Sequence, residues 1–136
     1  MTAREYLEQI AVLDELIKSK ALRVGRLKDE AKRTSAKLDG ERVQSSGSKQ
    51  KMADTVVKYV YIEEVELKAL YEQREEVIST IKQLPYREYD VLFKFYVLGY
   101  QLDEIAKRYH RSYSWAQKSH AKGLKLLQNI LERIEE

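Results

Sequence analysis

Two stretches of this chain place their seam residues in steps of four and three, and that spacing restricts the fold more than any other feature. The first runs through Tyr6, Ile10, Leu13, Ile17, Lys20, Val24, Leu27, Ala31, Thr34 and Leu38. The second runs through Met52, Val56, Val60, Glu63, Leu67, Leu70, Arg74, Val77, Ile81 and Leu84. A repeat of about 3.5 residues keeps one face of an α-helix turned toward a partner helix. Two such seams of matching length, separated by the polar Gly/Ser stretch of residues 39–50, predict a long antiparallel, coiled-coil-like helical hairpin over residues 1–83 with a mobile loop between its helices. Lys20, Glu63 and Arg74 interrupt the apolar seams, as register-setting residues do, and Gly25 is a weak point in the first helix. Only 5 Gly and 1 Pro occur among 136 residues, with 35% charged residues, a mixture suited to solvent-exposed helices and not to turn-rich β architecture. The expected class is all-α.

The single proline, Pro85, suits the first turn of a new helix, where a missing N–H costs nothing. A domain boundary is therefore expected there, with residues 84–136 as a separate unit. Val91, Leu92, Phe95 and Tyr96 form the stripe of one helix, which Gly99 can end. Leu102, Ile105, Ala106 and Tyr109 mark a helix of barely two turns. After His110 and Arg111, Ser112 stands where an N-cap belongs, and Ala116, Ser119, Gly123, Leu127, Ile130 and Ile134 form the buried stripe of a last long helix. A short helix, a tight turn and a longer helix make a helix-turn-helix arrangement.

Charge and composition narrow the function. The net charge of +3 is mild, but no acid lies between Glu104 and Glu132, a stretch that holds Lys107, Arg108, Arg111, Lys118, Lys122 and Lys125. The absence of Cys excludes disulfides, thiolate metal sites and Cys nucleophiles. His110 and His120 have no third ligand near them, and acid pairs such as Glu63/Glu64 and Glu75/Glu76 diverge by about 100° on a helix. Neither an enzyme nor a cofactor or metal is expected. The chain lacks the roughly 18 consecutive apolar residues of a membrane span, and its first residues lack the apolar core of a signal peptide. A cytoplasmic location without membrane contact is the expectation.

Leu84, Pro85, Arg87, Glu88, Val91, Leu92, Tyr96, Gly99, the Glu104-Ile105-Ala106 triplet, Ser112, Ala116, Gly123 and Leu124 together resemble region 4 of the sigma-70 family over about 45 residues. The upstream part, with Lys49, Met52, Ala53 and Asp54 after a Gly/Ser link, is similar to phage- and prophage-encoded sigma-like proteins of the ArpU late-gene regulator type. The resemblance implies a helix-turn-helix that binds double-stranded DNA and controls transcription of phage genes in a bacterial host cytoplasm. The turn departs from the family pattern, with His110 and Arg111 where glycine and an aliphatic residue are usual. No segment resembles the sigma region that melts promoters, so a self-sufficient initiation factor is not implied.

Projection of the last helix puts Ser114, Lys118, Ala121, Lys122 and Lys125 opposite the buried stripe, with Gln117 at the flank. A helix entering a major groove needs small residues and donors near its N-terminus and cations farther along. The expected DNA-binding set is Arg111, Ser112, Tyr113, Ser114, Gln117, Lys118, Lys122 and Lys125. The plain alternative is a solvated helix face. The hairpin would then serve homo-oligomerisation or contact with RNA polymerase. Two other readings fit the same pattern: a DNA-packaging protein of the small-terminase kind, and an adaptor that sequesters a host factor.

Overall fold

A computed structural model describes residues 1–40 and 47–135. Those residues form helices and no strands, in the order α1 (Ala3–Gly40), α2 (Gly47–Ile81), α3 (Tyr86–Leu92), a π-helical turn (Phe93–Val97), α4 (Leu102–Arg108) and α5 (Tyr113–Glu135). The all-α class expected from the two seams is the one observed. The helical bounds also shorten the expected connection. Residues 39–40 end α1 and residues 47–50 begin α2, while residues 41–46, on which the expected loop otherwise falls, lie outside the described residues.

The N-terminus of α1 is fixed by a reciprocal cap. The Glu5 backbone N–H donates to Thr2 Oγ1 at 3.2 Å, and the Thr2 N–H donates to a Glu5 carboxylate oxygen at 3.1 Å. This satisfies two amide groups that a helix start leaves without partners. Helices α1 and α2 pack together in antiparallel order. Tyr6 donates to Thr80 at 2.9 Å and Arg74 pairs with Asp14 at 2.6 Å, whereas farther along α1 Lys20 pairs with Glu63 and Glu66 at 2.7 Å and Lys28 with Glu64 at 2.6 Å.

The chain divides into two compact units: Met1–Asp14 with Gln73–Glu136, termed the core unit, and Glu15–Glu72, termed the hairpin unit. This division differs from the expected boundary at Pro85. Proline marks where one helix ends and the next begins, but the apolar surface there is continuous. Ala3, Leu7 and Ile10 of α1 and Val77, Ile78 and Ile81 of α2 belong to the same buried cluster as Leu84, Leu92, Leu127 and Leu131. Leu84, Leu92, Leu127 and Leu131 of residues 84–136 thus share a core with the ends of the long helices, while Val91, Ile105, Ala106 and Ala116 are buried outside that cluster.

Within the core unit, α5 packs on α3 and α4. Gly123 makes the α3 contact close, since a Cβ added there would lie 3.1 Å from Leu92 Cδ1 and Cγ and the fully buried Leu92 side chain would have to give by a few tenths of an ångström. At two expected positions the burial differs. On α5 Leu131 is buried, whereas Ile134 is 66% exposed; on α2 Met52 is exposed and Ala53 is half-buried. The single helix expected from the stripe Val91, Leu92, Phe95 and Tyr96 is also interrupted, since α3 ends at Leu92 and the chain continues as a π turn, with the Leu98 N–H donating to the Phe93 carbonyl at 3.1 Å. Gly99 then takes φ +78°, the left-handed conformation that suits glycine, and ends the helical run.

In the hairpin unit the seam follows the expected spacing at lesser depth. Ile17 and Val24 of α1 are buried, but Val56, Val60, Glu63, Leu67 and Leu70 of α2 are only half-buried. A pair of helices covers one side of each seam and leaves the other to water. No helix among the described residues is long and apolar enough to cross a membrane.

Candidate nucleic-acid interface

The connection between α4 and α5 is built from backbone hydrogen bonds. The His110 N–H donates to the Lys107 carbonyl at 3.1 Å, and the Arg111 N–H donates to the Ala106 carbonyl at 2.9 Å. These two bonds close the C-terminus of α4 in a Schellman arrangement, which places His110 in the left-handed region at φ 54°. A histidine there carries a steric penalty that glycine does not. Ser112 then caps α5, its Oγ accepting the Trp115 N–H at 3.1 Å. The hydroxyl expected to lie against DNA thus has a structural task as well.

Beyond the cap, Tyr113, Ser114, Gln117, Lys118, Lys122 and Lys125 are all exposed, as are Arg111 and Ser112. Ala116, Ser119, Gly123 and Leu127 on the opposite side of α5 are buried. One helix therefore presents a row of small, amide and ammonium side chains while its other face is locked into the core. Tyr109, the residue that ends α4, supports this orientation from both sides. Its hydroxyl donates to Asp90 of α3, and its ring lies 4.9 Å from that of Trp115. Burial, followed by the hydrogen bond to Asp90 and the charge of that carboxylate, pushes the Tyr109 hydroxyl well above its usual pKa, so it stays a proton donor. Asp90 also accepts from Lys94. Trp115 is half-buried against Tyr109, so the ring packs at the edge of the unit.

Two groups near the row were not expected from the sequence. Glu88 of α3 is 1% exposed, and its Oε1 accepts from Arg87 Nη2 at 2.8 Å and faces Lys122 Nζ at 3.6 Å. Burial alone would raise this carboxyl. Hydrogen bonds from Arg87 and from its own backbone N–H, with the charges of Arg87 and Lys122, outweigh burial and hold it below the usual glutamate range. Lys122 is therefore partly engaged by an anion of its own chain, whereas Lys118 and Lys125 stand in exposed positions without such a neighbour among the described ion pairs. The sequence did hold a signal for Glu88. It precedes Val91 and Leu92 by three and four residues and so shares their buried stripe.

The second group surrounds His120. Its Nε2 lies 3.0 Å from the Tyr96 hydroxyl, the two rings stack at 5.6 Å, and Phe95 meets the imidazole edge-on at 5.0 Å. Burial first, and the charge of Arg4 second, lower its pKa and favour the neutral ring. His120, Tyr96, Phe95, Arg4 and Gln117 border an open cleft of about 480 Å³. Gln117 accordingly stands between this cleft and the lysine row, the flank position that its angle on the helix predicted. The described residues contain no group of three or more His, Asp or Glu side chains placed to hold a metal. Comparison with protein-family models, with curated proteins and with solved structures gives no match.

Proposed function

We propose that the α4-turn-α5 unit binds double-stranded DNA through the exposed face of α5 and that the chain is a phage-type transcription regulator resembling sigma region 4. The observation that carries this reading is the division of α5: Ser114, Gln117, Lys118, Lys122 and Lys125 lie exposed on one side, while Ala116, Ser119, Gly123 and Leu127 are buried on the other. Small residues beside the helix start let its N-terminal turns approach base edges. The lysines farther along reach phosphates, which supply affinity but no sequence information. In this reading Ser114, Gln117 and Lys118 face bases, and Arg111, Tyr113, Lys122 and Lys125 face the backbone. Ser112 holds the helix start, and the α1–α2 pair offers a contact surface to RNA polymerase or to a second copy.

The test begins with selection of bound duplexes from a random pool, followed by affinity measurements across a salt series. Gln117→Ala should reduce discrimination between selected and scrambled duplexes by about 1–3 kcal/mol if the amide pairs with adenine. Lys125→Ala should weaken both duplexes alike and reduce the salt slope by about one. Lys125 is the cleaner probe of phosphate contact because Lys122 also faces Glu88. A chain with no salt-dependent affinity for duplex DNA would replace this reading with the adaptor reading.

A further inference from the structure

The side of α2 turned away from its seam carries a stripe whose spacing is the same in both directions and whose ends bear opposite charges. Asp54, Val57, Tyr61, Val65 and Lys68 are spaced three, four, four and three residues apart, symmetrically about Tyr61. At about 100° per residue all five fall within about 40° of the Tyr61 direction, while Val56, Val60, Glu63 and Leu67 point to the opposite half of the helix. Val57 is 59% exposed, Tyr61 68% and Val65 52%, and Asp54 and Lys68 are exposed at either end. All five belong to the hairpin unit. Three large apolar side chains in a row on an exposed helix face have no partner within the described residues of that unit.

We propose that this stripe is the contact surface for a second copy of the chain, paired antiparallel about a two-fold axis at Tyr61. In that arrangement Tyr61 meets Tyr61 of the second copy, each Val57 shares a layer with a Val65, and each Asp54 shares a layer with a Lys68. Two ion pairs thus close the two ends of a short apolar seam. A parallel arrangement sets Asp54 against Asp54 and Lys68 against Lys68, so the charges themselves select the antiparallel direction, as flanking charges do in helix pairing. The two-fold axis follows from the spacing, because an isologous contact requires one patch to be complementary to itself. The stripe is about 22 Å long at 1.5 Å per residue. That is short against a standard interface of about 800 Å² per partner, so the association is weak and depends on concentration. It requires no DNA, and its failure leaves the DNA-binding reading standing.

Sedimentation equilibrium of the full chain tests the pairing by charge exchange. The unaltered chain should show a mass that rises from one copy toward two with concentration. Asp54→Lys and Lys68→Glu alone each place like charges in both end layers, and each should weaken association about tenfold. The double variant D54K/K68E restores opposite charges and should recover it, and an equimolar mixture of the two single variants should associate better than either alone. Tyr61→Glu should abolish the dimer. All these positions are exposed, so helicity by circular dichroism should stay unchanged. A chain of constant single-copy mass at its highest soluble concentration overturns the proposal. So does a dimer indifferent to Tyr61→Glu, or one in which the double variant fails to recover while its helicity is intact.

Discussion

In the core unit the seams of α1 and α2 meet further helices, and Leu7, Ile10 and Ile81 lose all access to water. In the hairpin unit the same spacing meets one partner helix only, and residues 50–72 of α2 contain no buried side chain. Polar residues follow that division. Lys20 and Glu63 sit within the hairpin seam as a partly exposed ion pair, whereas the core unit buries two carboxylates, Glu88 and Asp90, supplied with donors by Arg87, Lys94 and Tyr109. Periodicity thus sets which face of a helix turns inward, and the number of neighbours sets how deep that face goes. The two regions share a pattern and differ in what breaks them.

The largest expected effect comes from cutting the chain where the proline stands. Residues 84–136 alone lose Leu7, Ile10, Ile78 and Ile81 from their cluster and should show no cooperative unfolding transition, while the whole chain does. A fragment that melts cooperatively would restore Pro85 as a domain boundary. Next in size is a matched pair of truncations. Leu92→Ala removes a fully buried side chain packed on Gly123 and should cost about 2–5 kcal/mol in denaturant unfolding. Val60→Ala in the half-buried seam should cost about 1 kcal/mol or less. Equal losses would mean that both units are packed to one depth.

Lys20→Leu sharpens the comparison from the hairpin side. The Lys20 ammonium is held above its ordinary range chiefly by hydrogen bonds to Glu63 and Glu66, and the Glu63 carboxyl is held below its own range chiefly by Lys20. A lowered carboxyl contributes stability that is present above its ordinary pKa and lost as pH falls through the folded value. Lys20→Leu removes that contribution and so should reduce the sensitivity of the hairpin to acid; leucine completes the apolar seam and should raise the melting temperature, while loss of the ion pair should loosen the register, visible as faster amide exchange along residues 50–72. An unchanged melting temperature with unchanged exchange would remove Lys20 as a register-setting residue.

The smallest effect belongs to His120. Its folded pKa lies below the ordinary 6.5, so the unfolded chain takes up the proton first, and stability present above that value is lost as pH falls toward the folded one. His120→Phe keeps a ring against Tyr96 and Phe95 and removes the titration. The variant should flatten the stability profile just below neutrality, with amides of α5 reporting the change and those of the hairpin unit unaffected. A profile identical to that of the unaltered chain would assign the acid sensitivity elsewhere.

Much of this architecture was legible in the residues. The long helices, the cap at Ser112, the break at Gly99 and the exposed row of α5 follow from spacing and turn chemistry, which are local. The reciprocal cap of Thr2 and Glu5 is equally local, a Thr followed three residues later by Glu. The depth of burial was not legible, because Leu7 and Leu67 look alike until a third helix covers one of them. Ile134 stands five full turns after Ala116, at the same angle on α5, yet it is 66% exposed, so its place at the end of the helix and not its direction keeps it out of the core. The engagement of Lys122 by Glu88 depends on how α3 and α5 meet, which the sequence of neither helix contains. Of the eight residues expected at the DNA face, all are exposed on or just before α5; what they bind is a matter for the salt series.

The π turn has a consequence for chain length. A segment that bonds each N–H to the fifth carbonyl back holds more residues per turn than the α-helix it continues, so the stretch from Phe93 to Val97 stores spare chain. In an α-helix, adjacent side chains diverge by about 100°, too far for both to serve one target easily. The wider turn lets two neighbours, Phe95 and Tyr96, reach the same imidazole in the second turn of α5. Losing one residue here would let the stretch close into ordinary helix and would part that pair. The number of residues between Leu92 and Gly99, as much as their kind, then determines how firmly the exposed row of α5 is held.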